Sequence, residues 1–374
     1  MKPSPLIVLL IVAAAISVSG QNAGPAPTPL RTENGVVWFD ARELGVEGRG
    51  WTNTLSFYDR LPAAAQGKVR APVWDLSRHA AGMCVRFVTD ATTIHARWAL
   101  HNAWLSMANM TAIGVSGLDL YVRTESGDWR WLGVGQPTAP TNTVKLAENL
   151  IPGKREYLLY LPLHNGVHFL ELGVPPTNTL ARAGAWGKGA RKPIVFYGTS
   201  ITHGISASRP GMVHTAILGR RFNWPVINLG FSGNGKMESE LAGLLAELDP
   251  AVYVIDCLPN LVAEEISERV EPFVRQLRVA HPQTPIVLVE DRSLQDSFLI
   301  QGRMEWYHLK SRAALRAAFE RLQKSGVADL HYIPGEALLG TDGEGTTDGS
   351  HPNDLGFLRQ AEVFAPFLAQ FLQP

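Results

Sequence analysis

Ile194-Val195-Phe196-Tyr197-Gly198-Thr199-Ser200-Ile201-Thr202-His203-Gly204 is the stretch on which the reading of this chain turns. It opens with four apolar residues that do not alternate with polar ones, the pattern of a strand buried on both faces. A glycine then leads into small polar residues ahead of a helical turn. Three apolar runs of the same kind follow, at Val226-Ile227-Asn228-Leu229, Val252-Tyr253-Val254-Ile255 and Ile286-Val287-Leu288-Val289, and Leu330-His331-Tyr332-Ile333 is a fifth. Between and after them lie amphipathic helical patterns, over 237–248, 264–280, 308–324 and 355–372. Strands alternating with helices predict βαβ units and a parallel sheet covered on both faces. In such a sheet ligands sit at the carboxyl ends of the strands, so the loops after the strands are where chemistry is expected.

Four of those loops carry reactive residue types. Ser200 follows the first strand, and Asn228-Leu229-Gly230-Phe231-Ser232-Gly233-Asn234-Gly235 closes the second. Asp256-Cys257-Leu258-Pro259-Asn260 closes the third, and Thr347-Asp348-Gly349-Ser350-His351-Pro352 precedes the last helix. Taken singly, each has a bland explanation, since a serine ahead of a helix is usually a cap and glycine-rich loops usually turn. Together they converge on one cleft. Serine is a weak nucleophile until a base takes its proton. His351 can be that base, and Asp348, three residues earlier, can accept from the second ring nitrogen and fix the tautomer. The backbone N–H groups of Ser200 and Gly233 and the side-chain amide of Asn260 can form an oxyanion hole. At Gly233 the missing Cβ is expected to let the backbone approach the developing charge.

These blocks resemble the SGNH (GDSL) hydrolase family: Ser200 in Gly-Thr-Ser, Gly233 in Phe-Ser-Gly-Asn, Asn260 in Leu-Pro-Asn, and Asp348 with His351 in Asp-Gly-Ser-His-Pro. The resemblance runs from about Lys192 to the C-terminus. It implies a three-layer α/β/α domain and an esterase, lipase or carbohydrate deacetylase. Gly-Thr-Ser stands where Gly-Asp-Ser is common, and Leu-Pro-Asn where Gly-Gly-Asn is common. Pro259 removes an N–H and stiffens that turn. The Gly-x-Ser-x-Gly elbow of α/β-hydrolases is not matched.

Upstream, from Val36 to about Pro175, the period is two. Runs such as Val85-Arg86-Phe87-Val88, Leu118-Asp119-Leu120-Tyr121-Val122 and His168-Phe169-Leu170-Glu171-Leu172 are separated by Gly, Pro, Asn and Asp clusters. Short strands at that spacing predict an antiparallel β-sandwich, jelly-roll-like, over residues 36–180, ahead of the hydrolase domain over 190–374. A sandwich followed by an SGNH domain also resembles the family-two carbohydrate esterases in architecture. Met1-Lys2 followed by an apolar run from Leu6 to Val18 and then Ser19-Gly20 reads as a signal peptide over 1–20. The run is short for a membrane span, although a retained anchor is the competing reading. Residues 21–35, rich in Pro and Ala at the start, read as a linker. The expected location is secreted or periplasmic, with no stable membrane insertion after cleavage.

The chain has 374 residues, 34 Lys+Arg against 34 Asp+Glu, 18% charged and 45% hydrophobic residues. That excludes a disordered chain and argues against a nucleic-acid binder, which needs a basic excess. Cys84 and Cys257 are too few for a disulfide framework. No spacing of the eleven histidines fits a metal site, and no dinucleotide or phosphate-loop fingerprint appears, so no cofactor is expected. His203 and Trp306 are candidate substrate contacts, each weighed against a structural reading. The Glu290-Asp291-Arg292 cluster and the stretch to Tyr307 read either as a substrate-facing loop or as a solvated one. Trp104, Met107 and Met110 read as an apolar patch or, better, as an interface with the second domain. His101 and Asp119 have no evident partners, and Asn109-Met110-Thr111 is a glycosylation sequon. The expectation is a secreted serine esterase for short acyl esters, O-acetyl groups on carbohydrate foremost. The alternatives are an acylhydrolase of lipid esters and a glycan-binding protein that has lost turnover.

Overall fold

The computed structural model describes residues 24–187 and 191–372. The expected signal peptide, and the first three residues of the expected linker, lie outside the described residues.

The N-terminal half is built of two antiparallel sheets. One holds β1 (Pro29–Glu33), β2 (Val36–Asp40), β5 (Ile94–Leu100), β8 (Thr141–Ala147) and β10 (Val167–Val174), in the order β1-β2-β10-β5-β8. The other holds β4 (Cys84–Thr89), β6 (Leu118–Arg123), β7 (Trp129–Gly135), β9 (Arg155–Tyr160) and β11 (Leu180–Arg182), in the order β11-β4-β9-β6-β7, with β3 (Val46–Glu47) paired to β4. Alternate residues of both sheets meet in one core. Ile94, Ala96, Trp98, Leu170 and Leu172 come from the first, and Val85, Phe87, Leu118, Leu120 and Leu159 from the second. The period-two reading is therefore the sandwich itself. Part of the stretch read as linker is a strand: β1 pairs antiparallel with β2, because Asn34-Gly35, both at positive φ, closes a tight hairpin turn.

The C-terminal half is a five-stranded parallel sheet, β12 (Ile194–Gly198), β13 (Val226–Gly230), β14 (Val252–Asp256), β15 (Ile286–Val289) and β16 (Leu330–Ile333), in the order β13-β12-β14-β15-β16. Three short helices, α1 (Ala41–Leu44), α2 (Ala71–Ser77) and α3 (Ala112–Ser116), lie in the N-terminal half. The others are α4 (Ser200–His203), α5 (His214–Phe222), α6 (Ser239–Leu245), α7 (Ala263–Ala280), α8 (Lys310–Lys324) and α9 (Asp354–Ala369). Helices α6, α7 and α8 bury Leu241, Phe273 and Leu315 on one face of the sheet. On the other face α5 and α9 bury Leu218 and Phe364. A π-helical turn over Glu305–Leu309 leads into α8, where the periodicity predicts a helix from His308.

The two halves interpenetrate. Trp51, Leu61, Ala65, Val69 and Val73, all in the N-terminal half, join the core of the parallel sheet beside Val195, Ile227 and Leu229. Asp119, without a partner in the sequence reading, is wholly buried at the junction. Its carboxylate accepts from Arg209 Nη1 and the Gly211 N–H, both at 2.8 Å, and from Trp131 Nε1 at 3.1 Å. Of the three residues expected at an interface, Met110 is buried against Ile201, Val213 and Phe357. Trp104 and Met107 remain exposed.

Candidate active site

Strands β12, β13 and β14 are hydrogen-bonded neighbours with ends in register, Gly198 beside both Gly230 and Asp256. The loops that follow them therefore open on one edge, as the strand-end rule requires. Ser200 is the first residue of α4, whose cap Thr199 accepts from the Ile201 N–H at 3.3 Å. Close packing makes this corner sharp: a Cβ on Gly230 would lie 2.1 Å from the His203 nitrogen, so only glycine lets α4 cross the end of β13.

Ser200 Oγ lies 3.0 Å from His351 Nε2, and His351 Nδ1 lies 2.8 Å from Asp348 Oδ2. The imidazole and the carboxylate are both about one-third exposed. Asp348 Oδ1 accepts from the backbone N–H of His351 at 2.8 Å and of Ser350 at 3.2 Å. Partial burial pushes the Asp348 carboxyl upward, but the His351 N–H, the Asn109 amide and the imidazole outweigh it and hold its pKa at about 2. It is thus an anion throughout the neutral range, with its second oxygen aimed at Nδ1. The proton then sits on Nδ1 and Nε2 is free to accept from the serine.

Gly233 and Asn260 lie where expected, on the loops after β13 and β14. The reason for glycine at 233 differs from the one predicted. No protein atom lies within 4 Å of a Cβ built there, and φ is +68°, so a left-handed turn selects it rather than close approach. Asn260 ends a 3₁₀ turn, Leu258–Asn260, its N–H bonded to the Cys257 carbonyl at 3.0 Å.

His203 is not a surface contact for substrate. Its side chain is wholly buried, stacked on His164 with ring centroids 3.8 Å apart, and bonded through Nδ1 to Ser232 Oγ at 3.2 Å. It braces the loop that carries Gly233. His79, His164 and His203 bring ring nitrogens together at the floor of the site, a group no sequence spacing announced. Imidazoles are zinc ligands, yet this trio does not fit a cation. The guanidinium of Arg60, wholly buried, already sits 3.4 Å from His203 Nε2, and a second cation beside it would be repelled. Burial, helped by Arg60, pushes the His79 pKa down to about 3 and those of His164 and His203 well below the usual range. Arg60 itself is pushed down to about 9 by burial. It donates to the carbonyls of Leu76, His79, Asn228 and Gly230 at 2.6–3.2 Å.

The Glu290-Asp291-Arg292 cluster is neither substrate-facing nor solvated. All three residues are buried and paired: Arg292 with Asp256 and Gln360, Asp291 with Arg312 and His308, and Glu290 with Arg316 at 2.8 Å. The stretch beyond it is exposed. Phe298, Leu299 and Trp306 are 85%, 81% and 71% accessible, and Ile300, Tyr307 and Leu309 are exposed as well. This segment touches the loop of Asp348 and His351, the Gln295 N–H donating to the Gly349 carbonyl at 2.9 Å. Cys84 and Cys257 are buried free thiols. Among the described residues no helix is long and apolar enough to cross a membrane.

The family described as GDSL-like Lipase/Acylhydrolase matches residues 191–369, and the N-terminus of the SGNH esterase type, GxDLY, matches residues 36–180. A Bacteroides ovatus ATCC 8483 protein of known structure, named for its likeness to GDSL lipases, is 36% identical over 90% of this chain and 98% of its own, with a TM-score of 0.84. The chain belongs to the GDSL-like lipase/acylhydrolase (SGNH) family. It is accordingly a carboxylic ester hydrolase. The GxDLY motif is Gly117-Leu118-Asp119-Leu120-Tyr121, so the motif's aspartate is the buried acceptor at the domain junction. Two more distant structures share the fold. Salicylyl-acyltransferase SsfX3 of a tetracycline biosynthetic pathway is 18% identical over 93% of each chain, with a TM-score of 0.64. A Clostridium thermocellum family-two carbohydrate esterase, in complex with cellohexaose, is 15% identical over 78% of this chain and 92% of its own, with a TM-score of 0.54. Comparison with curated protein sequences returned no match.

Sequence reasoning missed Arg60, Arg70 and Asn109, all from the N-terminal half and all touching the site. Arg70 donates to the Asn234 side chain at 2.7 Å, and Asn109 Nδ2 to Asp348 Oδ2 at 2.9 Å. For Asn109 the only local signal was the sequon, which points to a different role.

Proposed function

We propose that this chain is a secreted serine esterase that removes short acyl groups, O-acetyl above all, from carbohydrate. Ser200 attacks the ester carbonyl as His351 takes its proton, and Asp348 holds the imidazole and stabilises it when charged. The Ser200 and Gly233 N–H groups and the Asn260 amide receive the oxyanion. Collapse of that tetrahedral intermediate breaks the ester C–O bond and expels the alcohol, which takes the proton from His351; water, activated by the same imidazole, then cleaves the acyl-enzyme and releases the acid with Ser200 restored. The observation that carries this reading is the Ser200–His351–Asp348 relay, at 3.0 and 2.8 Å across residues brought from opposite ends of the hydrolase domain. The carbohydrate part draws support from the fold shared with the family-two carbohydrate esterase and from the exposed aromatic rings of Trp104, Trp306 and Tyr307, surfaces of the type that sugars stack on. The test is acetate release from a panel of acetylated polysaccharides, with Ser200→Ala beside the wild type. Turnover by Ser200→Ala, or the absence of fluorophosphonate labelling at Ser200, would remove the nucleophile.

One observation favours a second reading, hydrolysis of lipid esters. Phe298, Leu299 and Ile300 are exposed in tandem next to the catalytic loop, and such a run suits an apolar acyl chain better than a sugar. A series of p-nitrophenyl esters separates the two. A kcat/KM that falls steeply beyond acetate and propionate supports deacetylation, and one that rises with chain length supports the lipid reading.

A further inference from the structure

Asn109 sits at the tip of a tight turn in the N-terminal domain. Met107 and Met110 exchange both backbone hydrogen bonds at 3.1 Å, leaving Ala108 and Asn109 between them. That turn is fastened to the hydrolase domain on its far side. Met110 is buried at the domain junction, and Thr111, the cap of α3, donates its hydroxyl to the Ser208 carbonyl at 2.6 Å. The Ser208 N–H in turn donates to Asp354 at 2.9 Å, at the start of the helix that follows His351. The position of Asn109 relative to the catalytic loop is thus set by three contacts besides its own.

We infer that Asn109 is a positioning residue for the esterase centre, supplied across the domain junction to hold the Asp348 carboxylate. The inference rests on the triad reading above. Asp348 receives four hydrogen bonds. Three come from within its own turn, from the N–H groups of Ser350 and His351 and from His351 Nδ1. The fourth, from Asn109 Nδ2 at 2.9 Å, comes from 239 residues away and lands on Oδ2, the oxygen that also receives the imidazole. Residues 340–353 contain no helix or strand beyond an isolated bridge between Thr346 and Pro352. The two backbone donors pin Oδ1 from within that loop, and the plane of the carboxylate about that end is set by what holds Oδ2. Asn109 holds it from a turn that Met110 and Thr111 fasten to the domain junction. It is neutral at every pH, so it moves no proton; it sets the direction in which Oδ2 faces Nδ1, and through the imidazole the direction in which Nε2 faces Ser200. The sandwich is on this account a part of the catalytic apparatus and not only a neighbour.

The experiment is steady-state hydrolysis of p-nitrophenyl acetate by the full chain with Asn109→Ala and Asn109→Asp, each with a pH profile and a thermal melt. Asn109→Ala is expected to lower kcat about 10-fold, the size of one hydrogen bond to a charged group converted into rate. KM and Tm are expected to stay near wild type. Asn109→Asp places a second carboxylate against Asp348, which favours the protonated imidazole. Its kcat/KM profile should therefore lose its acid side at a higher pH than wild type. If kcat of Asn109→Ala stays within about twofold of wild type and the Asn109→Asp profile superimposes on it, the inference is wrong. A rate loss that tracks a lower Tm, with both profiles unmoved, would make Asn109 a structural contact only and would overturn it too. Ser200→Ala and Asp348→Ala, run alongside, separate the two levels. If they abolish turnover while the Asn109 variants do not change it, Asn109 falls and the triad stands; if they keep turnover, the triad falls first.

Discussion

Asp348→Asn is the substitution whose outcome the hydrogen-bond pattern dictates most closely. The amide has the shape of the carboxylate, but only one of its ends can accept. Oδ1 of Asp348 faces two backbone donors, the N–H groups of Ser350 and His351 at 3.2 and 2.8 Å. The asparagine oxygen must take that place, because turning the amide would set its NH₂ against two N–H groups at once. The NH₂ is then forced into the place of Oδ2, where both neighbours can adapt to it: the Asn109 amide by turning its oxygen inward, and His351 by presenting an unprotonated Nδ1. A donor there stabilises the tautomer with the proton on Nε2, and Nε2 can no longer accept from Ser200. The variant also loses the anion that would stabilise the imidazolium. Where a triad is broken in this way, with geometry intact and tautomer wrong, the loss is about 10⁴ in kcat, which corresponds to about 5–6 kcal/mol. The assay is kcat for p-nitrophenyl acetate at neutral pH, with a thermal melt to show that the fold persists. A loss smaller than about tenfold would mean that Asp348 does not set the tautomer, and the reasoning from its four donors would fail.

Other expectations follow from buried charge. Asp119→Ala leaves the Arg209 guanidinium and the Gly211 N–H facing an empty, buried site, a change that costs about 3–5 kcal/mol and should lower Tm by roughly 10 °C. A calorimetric double-mutant cycle with Arg209→Ala that returns a coupling under about 1 kcal/mol would contradict the assigned ion pair. His164, His203 and His214 are buried with folded pKa values driven well below the usual range by burial, whereas in the unfolded chain they titrate near 6.5. The unfolded state therefore binds more protons below pH 6.5. Stability is complete above that pH and falls on acidification by about 1.4 kcal/mol per pH unit for each such imidazole. Melts at pH 7.5 and 5.0 should differ by many degrees, and coincident melts would mean that these rings find room for a charge. Asp348 contributes in a lower window. Its folded pKa of about 2 lies below that of a free carboxylate, so its share of stability is present above about pH 4 and fades toward pH 2.

What the sequence made legible depended on how far each signal lay from its partner. Ile286–Val289 is a strand with the bounds read from the residues, because a strand covered on both faces has no polar side to blur its ends; Leu330–Ile333, at the sheet edge and half-buried in its middle, has the bounds read for it too. The loops of the candidate site were legible for a topological reason: parallel strands present their carboxyl ends on one edge, where Ser200 and His351 meet. Trp129–Gly135 and Thr141–Ala147 went unread, since β7 and β8 carry many half-exposed or exposed residues and small ones that dilute the alternation. The stretch from Trp51 to Val73 has no period, because its apolar residues are divided between two cores, Tyr58 in the sandwich and Trp51, Leu61, Ala65, Val69 and Val73 under the parallel sheet. Glu290-Asp291-Arg292 looked like surface because charge usually is surface. Here each charge is matched, Arg292 to Asp256 and Asp291 to Arg312, and matched charge can be buried. Asn109 had no local signal for this role beyond a sequon that points elsewhere, since a polar residue at a turn looks the same whether or not another loop ends beside it.

The charges below the site have the sign that ester hydrolysis requires. Arg60 is a wholly buried cation whose partners are carbonyl oxygens and an imidazole rather than a carboxylate. The three histidines beside it are held neutral by burial, and the guanidinium itself opposes their protonation. Neutral rings do not cancel a positive potential as a carboxylate would, so the field of Arg60 persists across them. His203, the ring it touches, is the last residue of the single turn that begins at Ser200. On the serine-esterase reading, negative charge develops on the substrate beside the first residue of that turn. A fixed positive potential there favours the transition state over the neutral ester, without any group having to move. The arrangement depends on the domain junction, because Arg60 comes from the N-terminal half while the carbonyls of Asn228 and Gly230 that hold it end strand β13. On that reading the N-terminal half bears on the chemistry through Arg60, and on the loop of Asp348 and His351 through Asn109. That accounts for a hydrolase core that includes residues from a segment more than a hundred positions upstream of its own first strand.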